Sequence, residues 1–319
     1  MSAVDSSSSD TLSAAQNALL TQMAQAYLAQ QRREKRWRWF WRIVWIGVGV
    51  SMIWATLQNV PAAKAPSSPH TALVEIRGEI ASDTEANADN LLAALRSAFE
   101  DAGAQAVVLR INSPGGSPVQ AGLVNDEVRR LKELHKKKVY AVCEEMCASA
   151  AYYIAVSADQ IFVDKASMVG SIGVLMDGFG FTGIMDKVGV ERRLMTSGDN
   201  KGMLDPFSPR NPRHEGFAQA MLDQIHAQFI QVVRQGRGKR LKETPETFSG
   251  LFWNGQQAVE LGLADKLGSL DQVARDVVKA EDIIDYTQKE NLAERLAKRF
   301  GAAFGAGAVH AMRASVNIH

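Results

Sequence analysis

The chain has 319 residues, 46% hydrophobic and 22% charged, with 36 basic and 35 acidic side chains that leave a formal net charge of +1. That length supports one large domain or two ordinary ones plus tails, and the near-neutral balance excludes a global electrostatic pull toward nucleic acid. The two cysteines, Cys143 and Cys147, are neither a Cys-x-x-Cys pair nor joined by metal-spaced histidines, which argues against zinc; no metal and no cofactor are expected.

Residues 1–36 are rich in Ser, Ala and Gln and read as an N-terminal tail. Arg32, Arg33, Lys35, Arg36, Arg38 and Arg42 then lead into an apolar run over 40–57, with Trp37, Trp39, Trp41, Trp45 and Trp54 in or beside it. A bilayer core takes a helix of roughly 20 residues, and tryptophans behind a basic cluster suit its boundary. Residues 37–58 are therefore predicted to be one transmembrane helix. The basic side stays in the cytoplasm, so the residues beyond about 60 lie across the membrane, the expected compartment being a bacterial periplasm. An uncleaved anchor is preferred to a secretory signal cut near Pro61-Ala62-Ala63, because the charged region begins about thirty residues into the chain.

Residues 59–70, with Pro61, Pro66 and Pro69, read as an extended linker. From 71 to 272 the periodicity predicts strands over 71–77, 106–111, 138–143 and 160–163, alternating with helices over 86–102, 119–134, 149–157 and 212–234. Strand and helix in repetition argue for an α/β fold with parallel strands and crossover helices. Residues 273–319 read as a C-terminal tail, helical from 290, where Leu292, Leu296, Phe300 and Phe304 recur four apart.

Three stretches carry chemistry. Asn112-Ser113-Pro114-Gly115-Gly116 follows an apolar strand; its glycines can take positive φ and present bare amides to an oxyanion. Ser149 stands among Ala148, Ala150 and Ala151 at a predicted helix start, which fits a nucleophile open to a substrate backbone, although position alone favours an ordinary N-cap, the commoner role of serine there. Lys201, in Ser197-Gly198-Asp199-Asn200-Lys201, has no adjacent acid; to act as a base it must shed a proton usually held up to a pKa of about 10.4, which desolvation favours. His70 and His135 read as solvated, His214 and His226 lie twelve apart on a long helix, and His310 and His319 are in the tail, so a Ser-His-Asp triad is the poorer fit. Cys143 and Cys147 read as small buried thiols, a disulfide being the alternative in an oxidising compartment.

Together with Ala148-Ser149-Ala150-Ala151-Tyr152-Tyr153, Val169-Gly170-Ser171-Ile172-Gly173-Val174, Ser197-Gly198-x-x-Lys201 and Trp253-Asn254-Gly255-Gln256-Gln257-Ala258, the glycine turn resembles the signal peptide peptidase A family over residues 71–270. The resemblance implies a crotonase-like fold shared with Clp proteases. It implies a membrane-anchored serine endopeptidase in which Ser149 is the nucleophile, Lys201 the general base, Ser171 the hydroxyl that orients the lysine, and Gly115 and Gly116 the oxyanion side. It also implies a homo-oligomeric ring in which neighbouring protomers share each Ser–Lys pair, acting on hydrophobic peptides such as signal-peptide remnants. Two details depart from the usual pattern: Ala150-Ala151 replaces a glycine-containing pair, and Asp199, expected to face solvent, replaces a basic or neutral residue. The competing readings are a non-catalytic membrane scaffold and a crotonase-like acyl-CoA enzyme; export of the domain speaks against the second.

Overall fold

The computed structural model describes residues 37–52 and 68–288. The chain divides into one unit ending at Ala65 and another beginning at Pro66. In the first, residues 37–52 form helix α1, on which Trp37 stacks with Phe40 at 5.7 Å between ring centroids. Among the described residues no helix is long and apolar enough to cross a membrane. The remainder of the predicted span, most of the linker and the predicted tail helix from 290 lie outside the described residues.

The second unit is an α/β domain. Its strands are β1 (His70–Arg77), β2 (Ala104–Ser113), β3 (Lys138–Ala148), β4 (Gln160–Val163), β5 (Met168–Gly170), β6 (Phe252–Asn254), β7 (Lys266–Leu267) and β8 (Ile283–Asp285). They form one sheet in the order β6-β5-β3-β2-β1-β8, with β4 on β3 and β7 on β4. All pairings are parallel except β5 with β6. Parallel strands are buried on both faces and read as apolar runs, as in Val107-Val108-Leu109, where every side chain is fully buried.

Crossover helices α2 (Ala88–Glu100), α3 (Pro118–His135) and α4 (Ala150–Ala155) cover one face. Leu91, Leu95 and Phe99 of α2 recur at the spacing of one helix face and bury against Val74, Ile76 and Leu109. Asn87 and Ser117 cap α2 and α3 by accepting the N–H of Asn90 and Gln120, and Pro118 starts α3 where a missing N–H costs nothing. The opposite face carries a smaller cluster of Val108, Val142, Phe162 and Val273. The last of these lies just past the short helical turn Leu270–Gln272, on its continuation Val273–Val278. The sheet thus extends past residue 272, because β8 pairs with β1 and Thr71 Oγ1 donates to Ala280 O at 2.7 Å.

Helix α5 (Thr182–Val188) is short and exposed, and the long helix α6 (Pro212–Arg237) ends in a fully buried arginine. Arg237 donates to Gly262 O at 2.8 Å and to Asp265 at 2.9 Å, and Asp265 also takes the Ile161 N–H of β4 at 2.7 Å. Helices α2 and α3 are clasped by Glu127, buried, which accepts from Arg130 and Arg96 at 2.7 Å each. The Arg130 hydrogen bond is the main cause that holds the Glu127 carboxyl at about 2 against an ordinary 4.5. A carboxyl depressed on folding stabilises above its unfolded pKa, and that contribution is lost as pH falls through the folded value. Glu127→Gln is accordingly expected to lower stability at pH 7, with the gap to wild type narrowing from pH 4.5 toward 2; urea unfolding across that range checks it.

Between Ile111↔Cys143 and Ser113↔Cys147 the register slips, two steps on β2 facing four on β3. Residues 144–146 form a bulge, the device that bends a strand and re-aims the residues beyond it. Through Cys143 β3 pairs with β4, and from Met146 onward with β5. The strand predicted over 138–143 therefore runs further, continuing through Glu144 and Glu145 as a bulge to Ala148.

Candidate active site

Ser149 comes directly after β3 and sits at φ 54°, ψ −123°, outside the regions a side chain favours. Such a conformation costs of order 1–3 kcal/mol and persists only where neighbours impose it. Here they do: the Ser149 N–H donates to Gly170 O at 2.8 Å and its C=O accepts from Tyr153 N at 2.9 Å. The helix α4 begins at Ala150, one residue later than predicted, and the Ser149 side chain makes no capping hydrogen bond. The hydroxyl is therefore free of the role serine most often has at a helix start.

It opens into a cavity of about 520 Å³ lined also by Pro114, Gly116, Ala150 and Ser171, with Tyr153, Val174, Leu175, Ile225 and Phe229 as the apolar wall. Ser171, like Ser149, has positive φ, at 52°, and its N–H is fixed on Leu251 O at 2.8 Å. The structure thus brings Ser149, Ser171 and the glycine turn together.

The turn touches the serine directly. A Cβ at Gly115 would stand 2.7 Å from both Ala148 O and Ser149 Cβ, and one at Gly116 2.2 Å from Ile80 O, so only glycine fits either place. The two amides differ. Gly115 N–H is taken by Ser113 Oγ at 3.1 Å, whereas Gly116 N–H donates to no group among the described residues. Ala150 N–H, first in its helix and also at the cavity, likewise donates to no group among the described residues. Residues 80, 113 and 150 do not stand out as site residues in the sequence; for Ser113 and Ala150 the available signal is their fixed spacing to Gly115 and Ser149.

Lys201 is not brought to this cavity. It lies exposed in a turn, its N–H on Gly198 O at 3.1 Å, and it makes no ion pair among the described residues. Asp199 is exposed as expected. Lys201 belongs to a long arm: from Gly173 to Phe217 no residue is buried, although Leu175, Phe179, Ile184, Val188 and Met195 are large and apolar.

Of the histidines, His70 is buried rather than solvated, bonded to Ser68 O and the Tyr286 hydroxyl. His226 lies beside the cavity wall and donates through Nε2 to Ile172 O at 3.0 Å. Cys143 and Cys147 are free and buried, and burial pushes the Cys147 thiol up.

A strained, uncapped serine beside two open amides in an apolar cavity is the arrangement of a serine acyl-transfer centre. Sequence comparison agrees. The profile of peptidase family S49 matches residues 132–283. Over 206 residues the chain is 33% identical to a Synechocystis protein provisionally named a protease, covering 65% of this chain and 72% of that one. Over 201 residues it is 30% identical to an Enterococcus faecium protein provisionally named signal peptide peptidase SppA, covering 63% and 58%. A third relative, from Brucella abortus and named Na(+)/H(+) antiporter NhaA, is 45% identical over 181 residues, 57% of this chain and 25% of that protein. The chain thus spans between a quarter and somewhat over half the length of several relatives it matches. The chain belongs to peptidase family S49, the signal peptide peptidase A family.

Proposed function

We propose that the chain is a membrane-anchored serine endopeptidase that cleaves extended apolar peptides, such as signal-peptide remnants left in the bilayer. The observation that carries this reading is Ser149, held at φ 54° at the mouth of an apolar cavity beside an uncommitted Gly116 amide. In the proposed reaction the Ser149 Oγ attacks the peptide carbonyl carbon while the Lys201 Nζ takes the hydroxyl proton. The oxyanion rests on the N–H groups of Gly116 and Ala150, donors of the kind worth roughly a hundred- to a thousandfold in rate each. The proton passes to the leaving amine, and water then releases the acyl group from Ser149.

Lys201 reaches the serine from a second copy. An arm with no buried residue across its length and a row of exposed apolar side chains is the kind of surface a neighbouring protomer covers. Covering it also removes water from the amine, and desolvation disfavours an ammonium. Ser171 lies in the same cavity as Ser149, where its hydroxyl would meet and orient the incoming lysine. The basic and aromatic segment 32–58 supplies the anchor to a bacterial inner membrane, with the domain on its periplasmic side and crotonase-like in its lineage.

A peptidyl fluorophosphonate incubated with the detergent-purified chain tests the reading. The expected result is one adduct, mapped by mass spectrometry to Ser149, with hydrolysis of a quenched apolar peptide lost in proportion. An unlabelled folded protein, or an adduct elsewhere, would overturn it.

A further inference from the structure

Resting on the reading that Ser149 is the nucleophile, we propose that Ser113 is a positioning residue, setting the glycine-turn amide that receives the oxyanion. Ser113 ends β2, is fully buried, and faces Cys147 across the ladder just beyond the bulge. Its Oγ accepts the Gly115 N–H at 3.1 Å, which withdraws that amide from the cavity and fixes the Pro114–Gly115 peptide. The next peptide is fixed from the other side: Ile80 N donates to Gly115 O at 2.8 Å, and Ser117 N donates to Ile80 O at 2.7 Å.

Peptide planarity then aims the Gly116 amide. In a trans unit the C=O and the N–H point in opposite directions, and no peptide bond among the described residues is cis. With Gly115 C=O aimed at Ile80, Gly116 N–H must point away from Ile80, on the side where Gly116 lines the Ser149 cavity. Glycine tolerates many other conformations, so Gly115 and Gly116 by themselves would leave this peptide free to turn over and withdraw the donor. Ser113 Oγ and the Ile80 backbone are what restrict it. Of the two, only Ser113 acts through a side chain, and so only it can be removed by substitution without breaking the Ile80 backbone hydrogen bonds.

The experiment uses the full-length chain in detergent, with Ser113→Ala and Ser113→Thr compared to wild type per probe-labelled Ser149. Ser113→Ala is expected to lower kcat for the quenched peptide by about ten- to a hundredfold with KM unchanged. Affinity for a peptidyl boronic acid, whose adduct places an oxygen where the oxyanion forms, should fall by the same factor. Peptide affinity measured in the Ser149→Ala background should not change, and Ser113→Thr, which keeps the hydroxyl, should restore most of the rate. A purely structural serine would lower the melting temperature and leave kcat per labelled site intact, and that result would overturn the proposal. Equal losses of boronate and peptide affinity would overturn it too. Should Ser113→Ala not fold, Ser113→Cys, a weaker acceptor of similar shape, carries the same expectations. A wild type inert to both peptide and fluorophosphonate would instead refute the peptidase reading itself.

Discussion

Ser149→Ala is expected to lower hydrolysis of an apolar peptide by about ten-thousandfold or more, the scale on which loss of a catalytic serine is felt. The fold should survive, because the side chain makes no capping bond and its backbone is held through N–H and C=O groups that alanine keeps. Ser149→Gly separates chemistry from strain. It removes the same hydroxyl, yet φ 54°, ψ −123° suits glycine far better than serine. We expect it to be as inactive as the alanine variant and more stable by about 1 kcal/mol. Thermal unfolding beside the peptide assay checks both; a glycine variant less stable than wild type would show that the conformation is not strained.

Lys201→Met is expected to lower turnover by about a thousandfold or more while leaving peptide binding and the stability of the isolated chain unchanged. Within one chain Lys201 is exposed, pairs with no acid among the described residues and does not line the cavity. Its loss should cost the single protomer nothing. Methionine keeps the length of the side chain and removes the amine, so the defect reports proton transfer. A variant that keeps its activity would remove Lys201 from the mechanism.

Much of the domain is legible in the sequence because its strands are buried on both faces and its helices are amphipathic, so β1, β4, α3 and α6 fall where periodicity places them. The bulge is not. Glu144 and Glu145 look like the end of a strand, and only the pairing of Cys147 with Ser113 shows that β3 resumes. By position alone Ser149 reads first as an N-cap, since the residue type is the same; what distinguishes the two is a backbone angle that no composition reports. Gly115 and Gly116 share one motif, but Ser113 Oγ takes only the Gly115 amide, while Gly116 N–H donates to no group among the described residues. Strand β8 is hidden in a predicted tail because three residues pairing on an edge leave no periodic signal. Lys201 stands out by its motif, whereas its place away from the Ser149 cavity depends on the fold of an arm whose exposed apolar side chains give no periodic pattern.

The proposed sharing of Ser149 and Lys201 between protomers is tested most directly by subunit mixing. Ser149→Ala and Lys201→Met, each inactive alone, are dissociated, combined in equal amounts and reassembled, with co-assembly verified by differential tags. If the pair is shared in a closed ring, about one quarter of sites regain both groups and activity returns to about that fraction of wild type. Mixed assemblies that remain inactive would contradict the account and place serine and base within one chain.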